Sequence, residues 1–196
     1  MFSSMKKANA RQRILETASD LFAEKGYSAV GINEIIDKSE TAKASFYHHF
    51  PSKEKLCLTW LSDTHARSVA HHDAILAAEG TAQKKILDYF KSLKDWMQTK
   101  EFRGCPYTNT SASLDKESPP ISEQVELHKL SIRDFFIELA REIVPAGSSA
   151  QRLGTTLFLL YSGATTESQN LKSVWPVDAA VDSIRALFDQ FTPVTA

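Results

Sequence analysis

The chain has 196 residues, an apolar fraction of 42%, a charged fraction of 24% and a formal net charge of −1. That is enough length for one or two domains with proper cores, in a composition typical of globular chains. No apolar run approaches bilayer-spanning length, and Met1–Lys7 lacks the apolar stretch of a secretory signal. Two cysteines, Cys57 and Cys105, imply no disulfide framework, so a reducing cytoplasm is the expected setting.

Taken in order, the predicted elements are all helices. Ile14, Ala18, Leu21 and Phe22 line one face of a helix from about residue 9 to 25, which Gly26 stops. A short helix over 32–38 buries Ile32, Ile35 and Ile36, and a second short one runs from about 42 to 49 until Pro51 ends it. Ser52 is the expected N-cap of a long helix reaching about Ala78. The spacing of Ile86, Leu87, Phe90, Leu93 and Met97 predicts a helix over 81–100, and Pro106 opens a short one through about Leu114. Ser118-Pro119 starts another, which the Pro145-Ala146-Gly147 break closes; two final helices run over about 149–171 and 177–191. The fold class is all-α, with about nine helices.

Residues 1–60 carry nine Lys/Arg against seven Asp/Glu, so position rather than total charge must identify any polyanion contact. Two short helices joined by a tight polar turn, after a longer amphipathic helix, describe a tri-helical helix-turn-helix. Its third helix is ~12 Å long at 1.5 Å per residue, which suits the ~12 Å major groove. The segment Ser45-Phe-Tyr-His-His-Phe-Pro-Ser-Lys-Glu-Lys-Leu56 is crowded with rings because Phe46 and Phe50 anchor that helix. Anchoring leaves Thr41, Ala42, Lys43, Ser45 and Tyr47 facing outward. Thr41, Ala42 and Ser45 are the candidate base readers, while Lys43, Tyr47, His48 and Lys53 are candidates for phosphate oxygens.

Arg13-Ile-Leu-Glu-Thr-Ala-Ser-Asp-Leu-Phe-Ala-Glu-Lys-Gly-Tyr27, Ile35, and Ala44-Ser-Phe-Tyr-His-His-Phe-Pro-Ser-Lys-Glu-Lys-Leu56 together resemble the DNA-binding domain of the TetR family of transcriptional repressors. The resemblance covers about residues 10–58. It implies a helix-turn-helix domain over residues 1–52 and a ligand-binding and dimerisation domain over 53–196. It also implies a homodimer on a palindromic double-stranded operator, released by a small-molecule effector whose identity the sequence does not give. Ser39-Glu40-Thr41-Ala42 replaces the usual Ala-Gly-Val-Ser turn, and Gly31 stands where a phosphate-contacting Thr is usual. Glu40 must therefore either adopt a positive φ or sit in a different turn.

Beyond residue 58 the reading rests on the residues alone. Gly154, Thr155, Tyr161, Ser162, Gly163, Ala164 and Thr165 form a small-residue helix face, and Val181, Ile184, Leu187, Phe188 and Phe191 an apolar stripe. Two such helices per subunit could pair about a two-fold axis, or pack within one subunit. Candidate effector contacts are Trp60, Trp96, Phe102, Cys105, Tyr107, Phe135, Phe136, Tyr161 and Trp175, although any one of them reads more readily as core. Their chemistry suits an apolar, weakly polar ligand. Cys105, beside Arg103 and before a helix start, reads either as a reactive thiol or as an inert buried one, and Cys57 as core. His71 and His72 are adjacent, and His65 lies off their face, so no metal site is expected. Without a phosphate loop or nucleophile elbow, neither a cofactor nor an enzyme is expected. The competing function is a helical ligand-binding protein that has lost DNA affinity.

Overall fold

The computed structural model describes residues 9–114, 118–144 and 147–190. Met1–Lys7, Lys116, Glu117, the Pro145-Ala146 break and Phe191 lie outside them. Nine α-helices make up the described residues: α1 Ala10–Lys25, α2 Ile32–Lys38, α3 Lys43–His49, α4 Lys53–Ala77, α5 Ala82–Thr99, α6 Pro106–Ala112, α7 Pro119–Arg141, α8 Ser148–Leu171 and α9 Trp175–Asp189. None is long and apolar enough to cross a membrane. Two compact units emerge, one running through His65 and including Pro106–Val125, the other combining Ala66–Cys105 with the residues from Glu126 onward.

In the first unit the Ser52 cap read from sequence is present, and Asn9, read from sequence as the first helical residue, is the N-cap of α1. Asn9 accepts from the Gln12 N–H at 2.8 Å, and Ser52 from the Lys55 N–H at 3.0 Å. Gly26 ends α1 at φ 82°, a conformation that needs no Cβ. Ile14, Ala18, Leu21 and Phe22 of α1 are buried, as are Phe46 and Phe50 on and just after α3. Phe46 is fully buried and meets Phe50 at 6.3 Å and Tyr47 edge-on at 5.4 Å. Burying one such ring is worth roughly 1.5–3 kcal/mol, enough to fix the rotation of a seven-residue helix that could not persist alone.

α6 belongs to this unit. Ser113 just beyond it accepts from the Tyr27 N–H at 3.1 Å, and its carbonyl accepts from the Ser28 hydroxyl. Tyr107 is fully buried and donates to the Leu61 carbonyl at 2.6 Å.

The second unit closes around Ile86, Phe90, Met97, Ile132, Phe136, Leu139, Leu157 and Ile184. α8 passes α7 so closely that a Cβ on Gly154 would stand 2.5 Å from the Ile137 Cα. The small-residue face read from sequence therefore divides. Gly154 faces this chain's own α7, whereas a Cβ on Gly163 would meet open space. The α9 stripe takes the inward alternative: Ile184 and Phe188 lie in the chain's own core with Val177 and Ala180. The α8–α9 surface left exposed is carried by Leu159 and Trp175, which with Gly163 and Ala179 line a shallow depression of ≈ 420 Å³.

Candidate nucleic-acid interface

α2, the turn after it and α3 form the candidate interface. With Phe46 turned inward, Ala42, Lys43, Tyr47 and His48 are exposed and Thr41 and Ser45 half-buried. Thr41 and Ala42 lie in the turn ahead of α3 and the other four on α3 itself, with Thr41 and Ser45 less outward than the sequence reading had them. The seventh, Lys53, differs. Its ammonium donates to the carbonyls of Tyr27 (2.9 Å), Ser28 (3.4 Å) and Val30 (2.9 Å) and lies 4.4 Å from the Tyr27 ring centroid. That leaves Lys53 binding the α1–α2 loop to the start of α4, its three donors spent on backbone.

Glu40 does take the positive φ, at 50°. The reason lies in how α2 ends. The Glu40 N–H donates to the Asp37 carbonyl and the Thr41 N–H to the Ile36 carbonyl, both at 3.2 Å. This is the two-bond helix stop whose pivotal residue is left-handed and usually glycine. Holding a side-chain residue there costs about 1–2 kcal/mol. The stop leaves the Ser39 and Glu40 carbonyls pointing away from the helix. Arg13 of α1 takes both: Nε donates to Ser39 O at 3.1 Å and Nη2 to Glu40 O at 3.2 Å. Charge-assisted hydrogen bonds of this kind contribute roughly 1.5–3 kcal/mol each, the same order as the strain. Ser39 Oγ also lies 2.8 Å from Thr41 Oγ1 and donates to Ile36 O at 3.2 Å, tying one candidate base reader to the turn.

Arg13 was not legible as a site residue, because its partners are backbone atoms 26 and 27 positions away. Arg11 was missed too; its guanidinium carbon lies 5.5 Å from the Phe50 ring centroid.

Gly31 is the N-cap of α2 at φ −88°, ψ 150°, with no side-chain cap, and an added Cβ would meet nothing within 4 Å. Gly31→Thr is therefore expected to fold normally and raise stability by a few tenths of a kcal/mol through the new cap. If its hydroxyl also reaches a phosphate, DNA affinity rises about two- to tenfold. Scanning calorimetry and fluorescence anisotropy with a labelled duplex check the two effects separately.

Of the candidate effector contacts, the structure brings Phe135 and Tyr161 together and scatters others. His72 stacks on Phe135 at 4.3 Å with an 11° interplanar angle, and its Nε2 lies 3.0 Å from the Tyr89 hydroxyl. Tyr89 and Tyr161 lie ring against ring, with centroids 5.6 Å apart. Burial pushes the Tyr89 phenol up to about 12 and Tyr161 well above its ordinary value, so both stay neutral. Phe136 is fully buried against Tyr161, and Phe102 packs at the edge of the same core. Trp96 and Trp175 are exposed. Trp60 and Tyr107 serve the core of the first unit, Trp60 against Phe22 at 5.5 Å. His72 and Tyr89 went unrecognised in the sequence, since a histidine and a tyrosine 17 positions apart carry no spacing signal.

Cys105 is buried, and its neighbour Arg103 lies 3.9 Å from the Glu101 carboxylate. Burial raises the Cys57 thiol to about 12, consistent with a core residue. Among the described residues no group of three or more metal-ligating side chains converges.

Residues 14–58 match the family described as bacterial regulatory proteins, tetR family. That stretch is a TetR-family helix-turn-helix domain. A helix-turn-helix regulator in the lacX 3′ region of Lactococcus lactis is 34% identical over 111 residues, which is 54% of this chain and 55% of that protein. The match thus spans little more than half the length of that relative. The transcriptional repressor NemR of Escherichia coli K12 is 24% identical over 188 residues, covering 90% of this chain and 92% of NemR. Among solved structures, SCO4454 of Streptomyces coelicolor, a TetR-family transcriptional regulator, superposes with a TM-score of 0.83 at 24% identity, over 93% of this chain and 95% of that one. The TetR-family fold thus extends over nearly the whole chain, and its DNA-binding helix-turn-helix is the α1–α3 assembly described above.

Proposed function

We propose that this TetR-family transcriptional regulator is a cytoplasmic, ligand-responsive dimeric repressor that grips a palindromic operator through two copies of α3 and is released by a small molecule. The single observation that carries the reading is α3 itself, anchored by a fully buried Phe46 while Lys43, Tyr47 and His48 stand exposed. Bases would be read by Thr41, Ala42 and Ser45, and phosphates held by Lys43, Tyr47 and His48. DNA reading falls to residues 1–52, effector binding and pairing to 53–196. The repressor sign is taken over from NemR and from DhaR of Mycobacterium sp., both named as repressors.

Pairing of two subunits through the exposed Leu159, Gly163, Trp175 and Ala179 surface would form an isologous interface. For the effector, the His72, Tyr89, Phe135 and Tyr161 cluster offers rings with two phenols and an imidazole among them, suited to an apolar, weakly polar ligand.

One observation favours a second reading, a ligand-binding protein without operator affinity. The Glu40 carboxylate makes no ion pair among the described residues and stands beside α3, where it would repel phosphates. Selecting bound duplexes from random DNA with the purified chain separates the two. The repressor reading expects an enriched palindrome with half-sites one helical turn apart, ~34–36 Å. Affinity for it should fall about 10³–10⁵-fold between 50 and 200 mM salt if 6–10 phosphates are contacted. A folded chain that enriches nothing supports the second reading.

A further inference from the structure

The α2–α3 turn combines a conformation that disfavours its residue with a clamp from another helix. Glu40 is left-handed at φ 50°, where glycine would be at ease. The stop at the end of α2 turns two successive carbonyls outward, and one edge of the Arg13 guanidinium donates to both. Because two parallel N–H groups are required at a fixed separation, the arginine fork suits the task and a lysine ammonium does not. The clamp joins α1 to the peptide units immediately ahead of α3. A change in φ at residue 40 is a rotation applied at the base of the recognition helix, swinging every side chain from Thr41 to His48.

We infer that Arg13 is a positioning residue for operator recognition: it locks the strained Glu40 turn and thereby sets the angle at which α3 meets the base edges. This rests on the DNA-binding reading above. It assigns to a residue outside the recognition helix, and to its backbone partners, a share of the sequence specificity.

The consequence is a coupling between positions 13 and 40. Arg13→Lys keeps the charge, so affinity for a scrambled duplex stays within about twofold, since that binding follows phosphate neutralisation. On the duplex enriched by selection with the wild-type chain, the same variant should lose about tenfold, as a charged hydrogen bond is lost. Glu40→Gly removes the strain, and in that background Arg13→Lys should cost less than about threefold. Glu40→Ala removes the carboxylate but keeps the unfavourable φ, so there Arg13→Lys should cost the full tenfold.

The experiment measures anisotropy titrations of the six proteins that this cycle requires against both duplexes, with circular dichroism melts confirming folding. Equal losses in all three backgrounds, or equal losses on selected and scrambled duplexes, would overturn the inference, since additive effects signify no shared element. So would a chain in which Arg13→Lys fails to fold even beside Glu40→Gly, which would make Arg13 a support of the whole unit. A wild-type chain that enriches no duplex at all overturns the DNA-binding reading and this inference with it. An enriched site read equally well by Arg13→Lys overturns only the inference.

Discussion

Leu159→Glu combined with Gly163→Arg should leave each subunit folded while abolishing pairing and weakening operator binding by about 10²–10⁴-fold. Neither change disturbs the subunit itself. Leu159 is exposed, and a Cβ at Gly163 meets nothing within 4 Å. Replacing a helical glycine even favours the helix by about 0.8–1 kcal/mol. Across a two-fold interface, by contrast, each substitution appears twice in the same patch, placing long charged side chains where two apolar surfaces must meet. Losing the second recognition helix forfeits the effective concentration that linkage supplies, the source of the 10²–10⁴ factor. Sedimentation velocity measures the oligomer and anisotropy the affinity. A variant that sediments as a dimer would show that subunits pair through another surface.

Gly154→Ala should do the opposite of Gly163→Ala, although both replace a glycine of α8. At Gly163 alanine should raise stability by about 1 kcal/mol through helix propensity. At Gly154 the new Cβ would lie 2.5 Å from Ile137 Cα and 2.6 Å from Ile137 N, distances no real Cβ tolerates. The obstacle is backbone of α7, which cannot swing aside as a side-chain tip can. α7 and α8 must separate, and overpacking of this kind costs typically 1–3 kcal/mol. Thermal melting then falls by about 2–4 °C per kcal/mol for a chain of this size. Calorimetry on the two variants tests the sign directly; a rise at both positions would mean that α7 yields easily.

The helix-turn-helix was legible because its signals are local. Gly26, Pro51 and Ser52 act on their own neighbours, and α2 begins and ends where the sequence placed it, at Ile32 and Lys38. The demand for a positive φ at residue 40 was legible too, as a choice between strain and a different turn. The structure resolves it in favour of strain, with Arg13 supplying the support.

What the sequence by itself determined is an all-helical chain whose first quarter anchors a recognition helix on Phe46 and Phe50, since capping, periodicity and ring spacing act within a few residues. What only the tertiary structure decided is which partner each face meets. Gly154 and Gly163 look alike in sequence, yet one touches Ile137 and the other open space. Lys53 looked like a phosphate contact and holds three carbonyls instead. Arg13 sits unremarked in α1 and grips a turn 26 residues on. Helical periodicity fixes the direction in which a side chain leaves its own axis, but the atoms waiting there come from distant parts of the chain, and only packing brings them into reach.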